Sequence, residues 1–460
     1  MINYLKYLTQ KTLEYRANQN GVTFLLGAGA SAGLFPNVAQ VTKLLLNWKG
    51  VLEPPSDLSL EPISYMLGGS RKGEILNESL RPYFLSIYET CKDRYDNPES
   101  FLHFERLINI AALLESTTTE NFKAVDEYKK NLSSFIEYKK ENERFNRKFI
   151  NGMAANAATK YILNHFTKLL DTDLEKRLKE CSLNNFLNDI SSKKVLNIFS
   201  LNYDTQPLFS NIDFRTGFKT FCNESFEYFS SQEMERSYSD HMFCQLHGSI
   251  LFSYPPANFR DLDEEKFPGS FARYKNPHDC IATRTESGNS SELPDGGARI
   301  STLMITGLRK ADDILDEPFA SYFRAFYEKL ISCNKWVIVG YGSSDVHVNK
   351  IIYRAFKYWK EKNIKVKVVW VGYAPNDCFE DGVGYFEPGY ELCDYSWDYL
   401  MNVFPNDIKE KFMGRKRAKI HRDKLNYFSS KYIDCTLSFK GTEDTFREHL
   451  QELSMFLIDS

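Results

Sequence analysis

Short apolar runs, each four to six residues long, recur along the chain and alternate with stretches of helical spacing. The runs occur at 22–26, 195–199, 242–246, 302–305, 336–339 and 366–371. Over 317–331 and 347–361, apolar residues recur every three or four positions, which predicts amphipathic helices. Strands that are buried on both faces show continuous apolar runs. The alternation therefore predicts an α/β fold, with a largely parallel sheet covered by helices on both faces.

The segment between the first two predicted strands has a mostly helical pattern over about 77–190, and we interpret it as an inserted helical module. A polar stretch rich in Pro, Gly, Asn and Ser at 255–298 predicts a long loop. We therefore divide the chain into an α/β domain at 1–375, which contains the insertion, and a small C-terminal α/β extension at 376–460. In the extension, 431–439 is predicted as a strand, interpreted as an edge strand.

Composition narrows the class of protein. The formal net charge of −3 gives no reason to expect general nucleic-acid binding. A basic cluster at 409–424 is either a solvated surface or a docking or nucleic-acid-binding patch. The nine cysteines form no C-x-x-C pair, which predicts reduced thiols in a cytoplasmic protein and no structural zinc site. With no apolar run of about 18 residues, no membrane span is expected.

A glycine-rich turn, Gly27–Gly33, follows the first predicted strand and precedes a predicted helix at 38–48. Glycine permits a tight turn and lets a ligand approach the backbone closely. The N–H groups at a helix start carry partial positive charge, which favours a phosphate. The spacing is G-x-G-x-x-x-G instead of the usual G-x-G-x-x-G. The turn therefore predicts either a phosphate-binding loop or a tight structural turn.

Two other enzyme classes are compatible with part of this turn. Residues 29–33 read G-x-S-x-G, the nucleophile elbow of α/β-hydrolases, but that elbow normally follows several strands and leaves Gly27 unexplained. A dehydrogenase needs an acidic residue about 20 positions further on, at the end of a second strand. Glu53 has that distance, but the strand pattern before it is poor and runs into Pro54-Pro55. Both classes are therefore disfavoured.

Three further predicted strands are followed at once by small or polar residues, at 199–204, 245–249 and 339–345. Because the carboxyl ends of parallel strands lie at one edge of the sheet, these segments are predicted to form one crevice with the glycine turn. Each has a structural alternative, since Asn202, Asp204 and the 343–345 segment are good helix caps. His247 is also compatible with a buried histidine whose hydrogen bonds are satisfied. Four such strand ends together favour a ligand site.

In their order along the chain, these segments resemble the sirtuin-like superfamily, specifically its bacterial antiphage-defence branch. The turn at 27–31 looks like the first NAD loop of that family, and 201–204 looks like its Asn-x-Asp segment. Residues 246–249 look like its His-Gly motif, and 340–345 look like its late nucleotide loop. The resemblance spans roughly residues 20–375 and implies a Rossmann-like NAD-binding domain.

The resemblance implies an NAD glycohydrolase that cleaves NAD into nicotinamide and ADP-ribose. Zinc-ribbon cysteines are absent, as is the Phe-Arg that follows the first loop in deacetylases, so an NAD-dependent protein deacylase is disfavoured. It implies that Asn202 orients the ribose and the attacking water, and that His247 is the general base. The implied nucleotide-binding residues are Gly27, Ala28, Gly29, Ala30, Ser31, Asp204, Gly340, Tyr341, Gly342 and Ser343. A non-catalytic NAD or ADP-ribose sensor remains an alternative.

The resemblance also implies a cytoplasmic antiviral effector that stays inactive until it is triggered. NAD is then the substrate, and no zinc is expected. The sequence contains no nucleotide-hydrolase P-loop and no recognisable nucleic-acid-binding domain. We therefore expect a homo-oligomer that is regulated by a separate partner, such as a HerA-like hexameric ATPase or another phage sensor.

Overall fold

The computed structural model describes about half of the chain. The described residues are 21–47, parts of 84–110 and 158–170, 172–220, 226–236, 240–253, 272–275, 314, 317–343, 345–373, 383–385 and 419–458. The strand predicted at 302–305 and most of the basic cluster at 409–424 lie outside them.

The strands within this part of the chain are β1 Gly21–Leu26, β2 Val195–Ser200, β3 Phe218–Thr220, β4 Phe226–Phe229, β5 Met242–Gln245, β6 Phe252–Ser253, β7 Ala272–Tyr274, β8 Lys335–Val339, β9 Val366–Val371, β10 Val383–Tyr385, β11 Lys419–His421, β12 Asn426–Ser429 and β13 Ile433–Ser438. The α-helices are α1 Val38–Leu46, α2 Thr172–Glu180, α3 Ser182–Ser191, α4 Ser231–Arg236, α5 Phe319–Ser332, α6 Val346–Glu361 and α7 Thr442–Ile458. Within the described residues, 3₁₀ helices span Ala28–Ser31 and Gln206–Phe209.

A seven-stranded sheet forms the centre of the structure, in the order β12-β13-β9-β8-β1-β2-β5. Neighbouring strands are parallel, apart from the antiparallel pair of β12 and β13. The predicted Rossmann-like α/β fold class is therefore confirmed. From β1 the chain adds β2 and β5 on one side, and β8, β9 and β13 on the other. The strand order therefore reverses between β1 and β8, and crevices at such switch points bind ligands in open α/β sheets.

Alternate residues of β1 explain why helices cover both faces of the sheet. Val22, Phe24 and Leu26 belong to a core that includes residues of α3 and α7. Leu25 points to the opposite core, which includes residues of α1, α5 and α6. Burying one large apolar side chain stabilises the fold by about 1.5–3 kcal/mol. A strand with apolar residues on both faces is therefore stable only when helices cover each face.

Helix α3 lies within the segment interpreted as an inserted module, yet it packs directly on the sheet. The ring of Phe186 contacts Phe24 of β1 edge-to-face, with centroids 6.2 Å apart. It also stacks on Phe446 of α7, with centroids 4.5 Å apart. The last helix before β2 therefore belongs to the layer that covers the sheet.

The described C-terminal residues extend the same sheet. Strand β13 pairs with β9 over six residues and with β12 on its other side, so it is not an edge strand as predicted; β12 occupies that edge. The sheet thus continues across residue 375, because β13 lies beside a strand of the larger predicted domain. Thr442 at the start of α7 donates a hydrogen bond from Oγ1 to the carbonyl of Gly29 at 2.7 Å, which connects this segment to the glycine turn.

A second, four-stranded antiparallel sheet has the order β3-β4-β7-β6. The sequence did not predict it, and β7 falls within the stretch at 255–298 that was predicted as a loop. These strands have two to four residues each, which is too short for an alternating pattern to be visible. Within the described residues, no helix is long and apolar enough to cross a membrane.

Three lysines lie close together at the amino ends of the central strands. Lys335 on β8 is directly opposite Lys367 on β9, and Lys194 precedes β2. Burial, together with the like charges of Lys194 and Lys367, lowers the pKa of Lys335 from 10.5 to about 8. Between these two pH values the unfolded chain binds more protons at this lysine than the folded chain does. The free energy of unfolding therefore rises as the pH rises from about 8 to 10.5. Below about pH 8, Lys335 is charged in the folded protein and destabilises it by the full amount.

We expect Lys335→Met to raise the melting temperature at pH 7 by on the order of 2 °C. The gain should be smaller at pH 10, where the lysine is already largely neutral in the folded protein. Differential scanning fluorimetry at both pH values measures this. Lys350→Met, an exposed change on α6, is the control and should alter neither value. Equal gains at the two pH values would contradict the electrostatic explanation.

Candidate functional site

The four segments that were predicted to converge follow four adjacent strands, β8, β1, β2 and β5. Backbone hydrogen bonds connect the loops directly beyond the strand ends. Gly27 donates to the carbonyl of Val339 at 2.8 Å, Leu201 donates to that of Leu26 at 2.8 Å, and Leu246 to that of Ser200 at 2.7 Å. The carboxyl edge of the sheet therefore gathers these segments side by side, next to its switch point.

Asn202, Ser31 and Asp204 form one buried hydrogen-bond network. The Nδ2 group of Asn202 donates to the carbonyl of Gly27 at 2.9 Å and to Ser31 Oγ at 3.2 Å. Ser31 Oγ in turn donates to Asp204 Oδ2 at 2.7 Å, although these residues are 173 positions apart. Asp204 Oδ1 accepts from the backbone N–H of Gln206 at 3.0 Å. The glycine turn and the Asn-x-Asp segment are thus joined through their polar side chains.

The carboxyl group of Asp204 is buried, and its surroundings have opposing effects on its pKa. Burial raises its pKa above the ordinary value, and hydrogen bonds from Ser31, the Gln206 N–H and Asn202 oppose that rise only in part. Its backbone carbonyl also accepts from Gln245 Nε2 at 2.8 Å, which connects it to β5. Asp204 Oδ1 bonds to the first residue of the 3₁₀ helix at 206–209.

His247 lies directly beyond β5 and pairs with a carboxylate from the other side of the switch point. Its Nε2 is 3.0 Å from Asp345 Oδ2, and both side chains are only 6% exposed. Asp345 is also the N-cap of α6, where Oδ1 accepts from His347 N at 2.9 Å and Val348 N at 3.2 Å. The sequence indicated this capping role and a place in the predicted nucleotide loop. The pairing with His247, across 98 positions, is a contact that sequence reasoning missed.

Tyr203, between the two polar residues of the Asn-x-Asp segment, reaches toward the helical segments. Its hydroxyl donates to Glu105 Oε1 at 3.0 Å, and its ring contacts Phe104 edge-to-face at 6.5 Å. Its carbonyl accepts from Ile250 N at 3.0 Å, beside the His247 turn. Burial raises the pKa of Tyr203 well above its ordinary value, and the charges of Glu105 and Asp345 add to this. The phenol therefore stays protonated and remains a donor.

The glycines of the two loops allow backbone to pack against backbone. A Cβ on Gly27 would lie 2.6 Å from the carbonyl oxygen of Gly340, and one on Gly340 would lie 2.3 Å from Ala30 N. Gly340 also has a φ of +60°, a conformation that L side chains rarely adopt. The N–H groups of Gly27, Gly29 and Ala30 already donate to the carbonyls of Val339, Gly340 and Gly27. Close packing of the loops thus accounts for these glycines.

Tyr341 belongs to the core below the site. Its hydroxyl donates to Asn349 Oδ1 at 2.7 Å and to the carbonyl of Asp345 at 3.2 Å, and its ring packs 6.4 Å from Trp370. Burial raises its pKa, and the nearby Asp345 charge acts in the same direction. The phenol is therefore protonated and supports the start of α6.

Ser343 combines two unusual features at the same loop. It has a φ of 55°, in the left-handed region, and it is fully buried. Within the described part of the chain, its Oγ has no hydrogen-bond partner. Beside it, Gly342 is exposed, as is Ala28 of the facing loop, while Gly29 is partly exposed. The surface that a ligand would meet here is therefore backbone from both loops.

The hydrolase elbow at 29–33 is contradicted by the structure. A nucleophile elbow holds its serine on a strained, sharp turn. Among the described residues, the non-glycine positions with positive φ are Ser343 and Asn363, and Ser31 is not one of them. Ser31 Oγ also donates to a carboxylate instead of facing a histidine.

No protein-family model matches this chain, and no curated protein matches it. Within the described residues, no group of three or more His, Cys, Asp or Glu side chains is placed to hold a metal ion. The described cysteines are buried, and burial raises the thiol pKa of Cys181, Cys244, Cys333 and Cys435. These thiols have a structural character.

Proposed function

We propose that this protein is an NAD glycohydrolase, which uses water to release nicotinamide from NAD and leaves ADP-ribose. One observation carries the proposal: at the carboxyl edge beside the switch point, the Asn202–Ser31–Asp204 network follows β1 and β2, and a buried histidine that is paired with a carboxylate follows the adjacent strand β5. A general base and an orienting amide are the groups that water attack on a ribose carbon requires.

The proposed catalytic roles depend on which side-chain atoms are not already hydrogen-bonded within the protein. Breaking the bond between nicotinamide and ribose leaves positive charge on the ribose carbon, while neutral nicotinamide departs. Both amide hydrogens of Asn202 face protein acceptors, so its Oδ1 is the atom proposed to contact the ribose or the water. His247 would take the proton that the attacking water loses. Asp204 would provide a negative or strongly polar group near the developing charge.

The pyrophosphate is proposed to lie across the exposed backbone of the two loops. Ala28 begins the 3₁₀ helix that follows β1, and Gly342 precedes α6, so both positions are near helix starts. N–H groups at such positions favour an anion. The buried Oγ of Ser343 is an additional hydroxyl on this edge, and a hydroxyl both donates and accepts.

A non-catalytic sensor of NAD or ADP-ribose is the second candidate. The observation that favours it is that three N–H groups of the glycine loop, and both amide hydrogens of Asn202, already bond within the protein. Such a pre-formed loop suits binding without chemistry.

For either candidate function, we propose a triggered antiphage protein that forms a homo-oligomer and is regulated by a separate partner. A purified monomer that is fully active without additions would contradict this regulation.

Nicotinamide release from NAD by the purified protein tests the function. We expect Asn202→Ala to lower release by about 10²-fold or more, because the reacting groups lose their alignment. Chromatography of the products measures this, with NAD and ADP-ribose affinities from calorimetry in parallel. Tight binding of both nucleotides without any release, alone or with candidate partners, would favour the sensor. Absence of binding would overturn both.

A further inference from the structure

We propose that Asp345 is a positioning residue that holds the Nε2 proton of His247, so that His247 accepts protons at Nδ1. The inference rests on the proposed NAD cleavage, since it names the residue that would prepare the base for that reaction. Asp345 comes from the start of α6 and His247 from the end of β5, so the contact exists only in the folded sheet.

The two oxygens of Asp345 have separate partners. Oδ1 accepts from two backbone N–H groups at the first turn of α6, which fixes the carboxylate in one orientation. Oδ2 is thereby directed at His247 Nε2, at 3.0 Å. A helix N-terminus favours negative charge, so the carboxylate is the acceptor of this hydrogen bond. The imidazole must then carry its proton on Nε2, and in the neutral ring Nδ1 is left without one.

This arrangement serves a general base in two ways. It selects the tautomer in which Nδ1 can take a proton from water, and it places a negative charge beside the imidazolium that results. Two neighbouring phenols, those of Tyr203 and Tyr341, do not compete for the proton. Burial raises the pKa of Tyr203 and of Tyr341, so both phenols stay protonated beside Asp345, and Glu105 is already bonded to the Tyr203 hydroxyl.

The change Asp345→Asn separates the positioning role from the capping role. Asparagine caps helices about as well as aspartate, so its Oδ1 can keep the two bonds to α6. The amide nitrogen then faces His247 Nε2 and donates to it, which forces the proton onto Nδ1. We expect nicotinamide release to fall by about 10²–10⁴-fold, the range for a lost general base, while NAD affinity and melting temperature stay near those of wild type. Wild-type turnover by Asp345→Asn would overturn the proposal.

A double-mutant comparison distinguishes positioning from a general structural effect. If Asp345 acts through His247, adding Asp345→Asn to His247→Ala should cause no further loss of activity. A structural contribution would instead multiply the two losses. Multiplied losses would therefore overturn the positioning role, even if each single variant is slow.

Imidazole ¹⁵N spectra of histidine-labelled protein give a readout that does not depend on turnover. The chain has eight histidines, and His247→Gln identifies the signals of His247 by their disappearance. We expect the Nε2–H tautomer in wild type and the Nδ1–H tautomer in Asp345→Asn. A bare Nε2 in wild type would overturn the inference. If NAD is bound but never cleaved while the Nε2–H tautomer is present, the proposed function fails and the hydrogen-bond assignment stands.

Discussion

Replacing His247 with alanine is expected to lower the rate of nicotinamide release by about 10²–10⁴-fold, the range usual for a lost general base. The protein should remain folded, because His247 is a single residue at a strand end, outside the apolar cores. Steady-state kinetics should show the loss in kcat with little change in NAD affinity. Purified His247→Ala with wild-type turnover would remove His247 from the mechanism.

The change His247→Gln is the matched control for the structural part of that result. Alanine leaves Asp345 Oδ2 buried without its histidine partner, which by itself costs stability. Glutamine can still donate to Asp345 but cannot act as a base near neutral pH. We therefore expect Gln to restore the melting temperature and not the activity. Recovered activity in His247→Gln would assign His247 a structural role.

The change Gly340→Ala is expected to destabilise the protein by at least about 3 kcal/mol, or to prevent folding. Two costs combine: a positive φ costs about 1–2 kcal/mol for an L side chain, and overpacking costs about 1–3 kcal/mol. The overpacking is severe here, because the new Cβ would lie 2.3 Å from Ala30 N and from the carbonyl carbon of Gly29. Denaturant titration followed by circular dichroism measures the loss.

Gly33→Ala is the control for the conformational part of this loss. Gly33 has a φ of +84°, but a Cβ there would have no atom within 4 Å. It should therefore cost only the backbone term of about 1–2 kcal/mol. Equal losses in the two variants would mean that the two loops move apart without cost, and would contradict the close packing inferred here. Gly340 packs against the glycine turn, and the Gly27 carbonyl in that turn accepts a hydrogen bond from Asn202. NAD affinity should therefore fall in any folded fraction of Gly340→Ala.

These variants act on two hydrogen-bond networks that meet at the loop after β2. Asn202 and Asp204 belong to the network of the glycine turn, whereas Tyr203 lies near the charge of Asp345 and bonds to Glu105. Glu105 belongs to the predicted helical module, so Tyr203 connects that module to the loop after β2.

The sequence by itself determined the central strands and the long helices near them. Five of the six apolar runs correspond to β1, β2, β5, β8 and β9 within one or two residues, and the sixth, 302–305, lies outside the described residues. The helices predicted at 38–48, 317–331 and 347–361 correspond to α1, α5 and α6. Strands that are buried on both faces need apolar residues at every position, and helices with one buried face need them every three or four. Both patterns are local, so they can be read without knowing the fold. The order of the polar segments after these strands was readable for the same reason.

Only the tertiary structure decided which elements become neighbours. Strand β13 lies inside the sheet because β12 covers its outer side, and an apolar run does not reveal how many partners it has. The short strands of the antiparallel sheet depend on pairing with one another, since two to four residues carry no period. The contact of His247 with Asp345 likewise depends on the order in which β5, β2, β1 and β8 are arranged.

The glycine turn shows this division most directly. Its sequence predicted either a phosphate loop or a tight structural turn, because both need residues without a Cβ. The structure shows that Gly27 and Gly340 are required by the contact between two loops that are more than 300 positions apart in the chain. That requirement arises from the distance between two backbones, which no local pattern contains. The exposed backbone of Ala28 and Gly342 is what these loops leave available to a ligand.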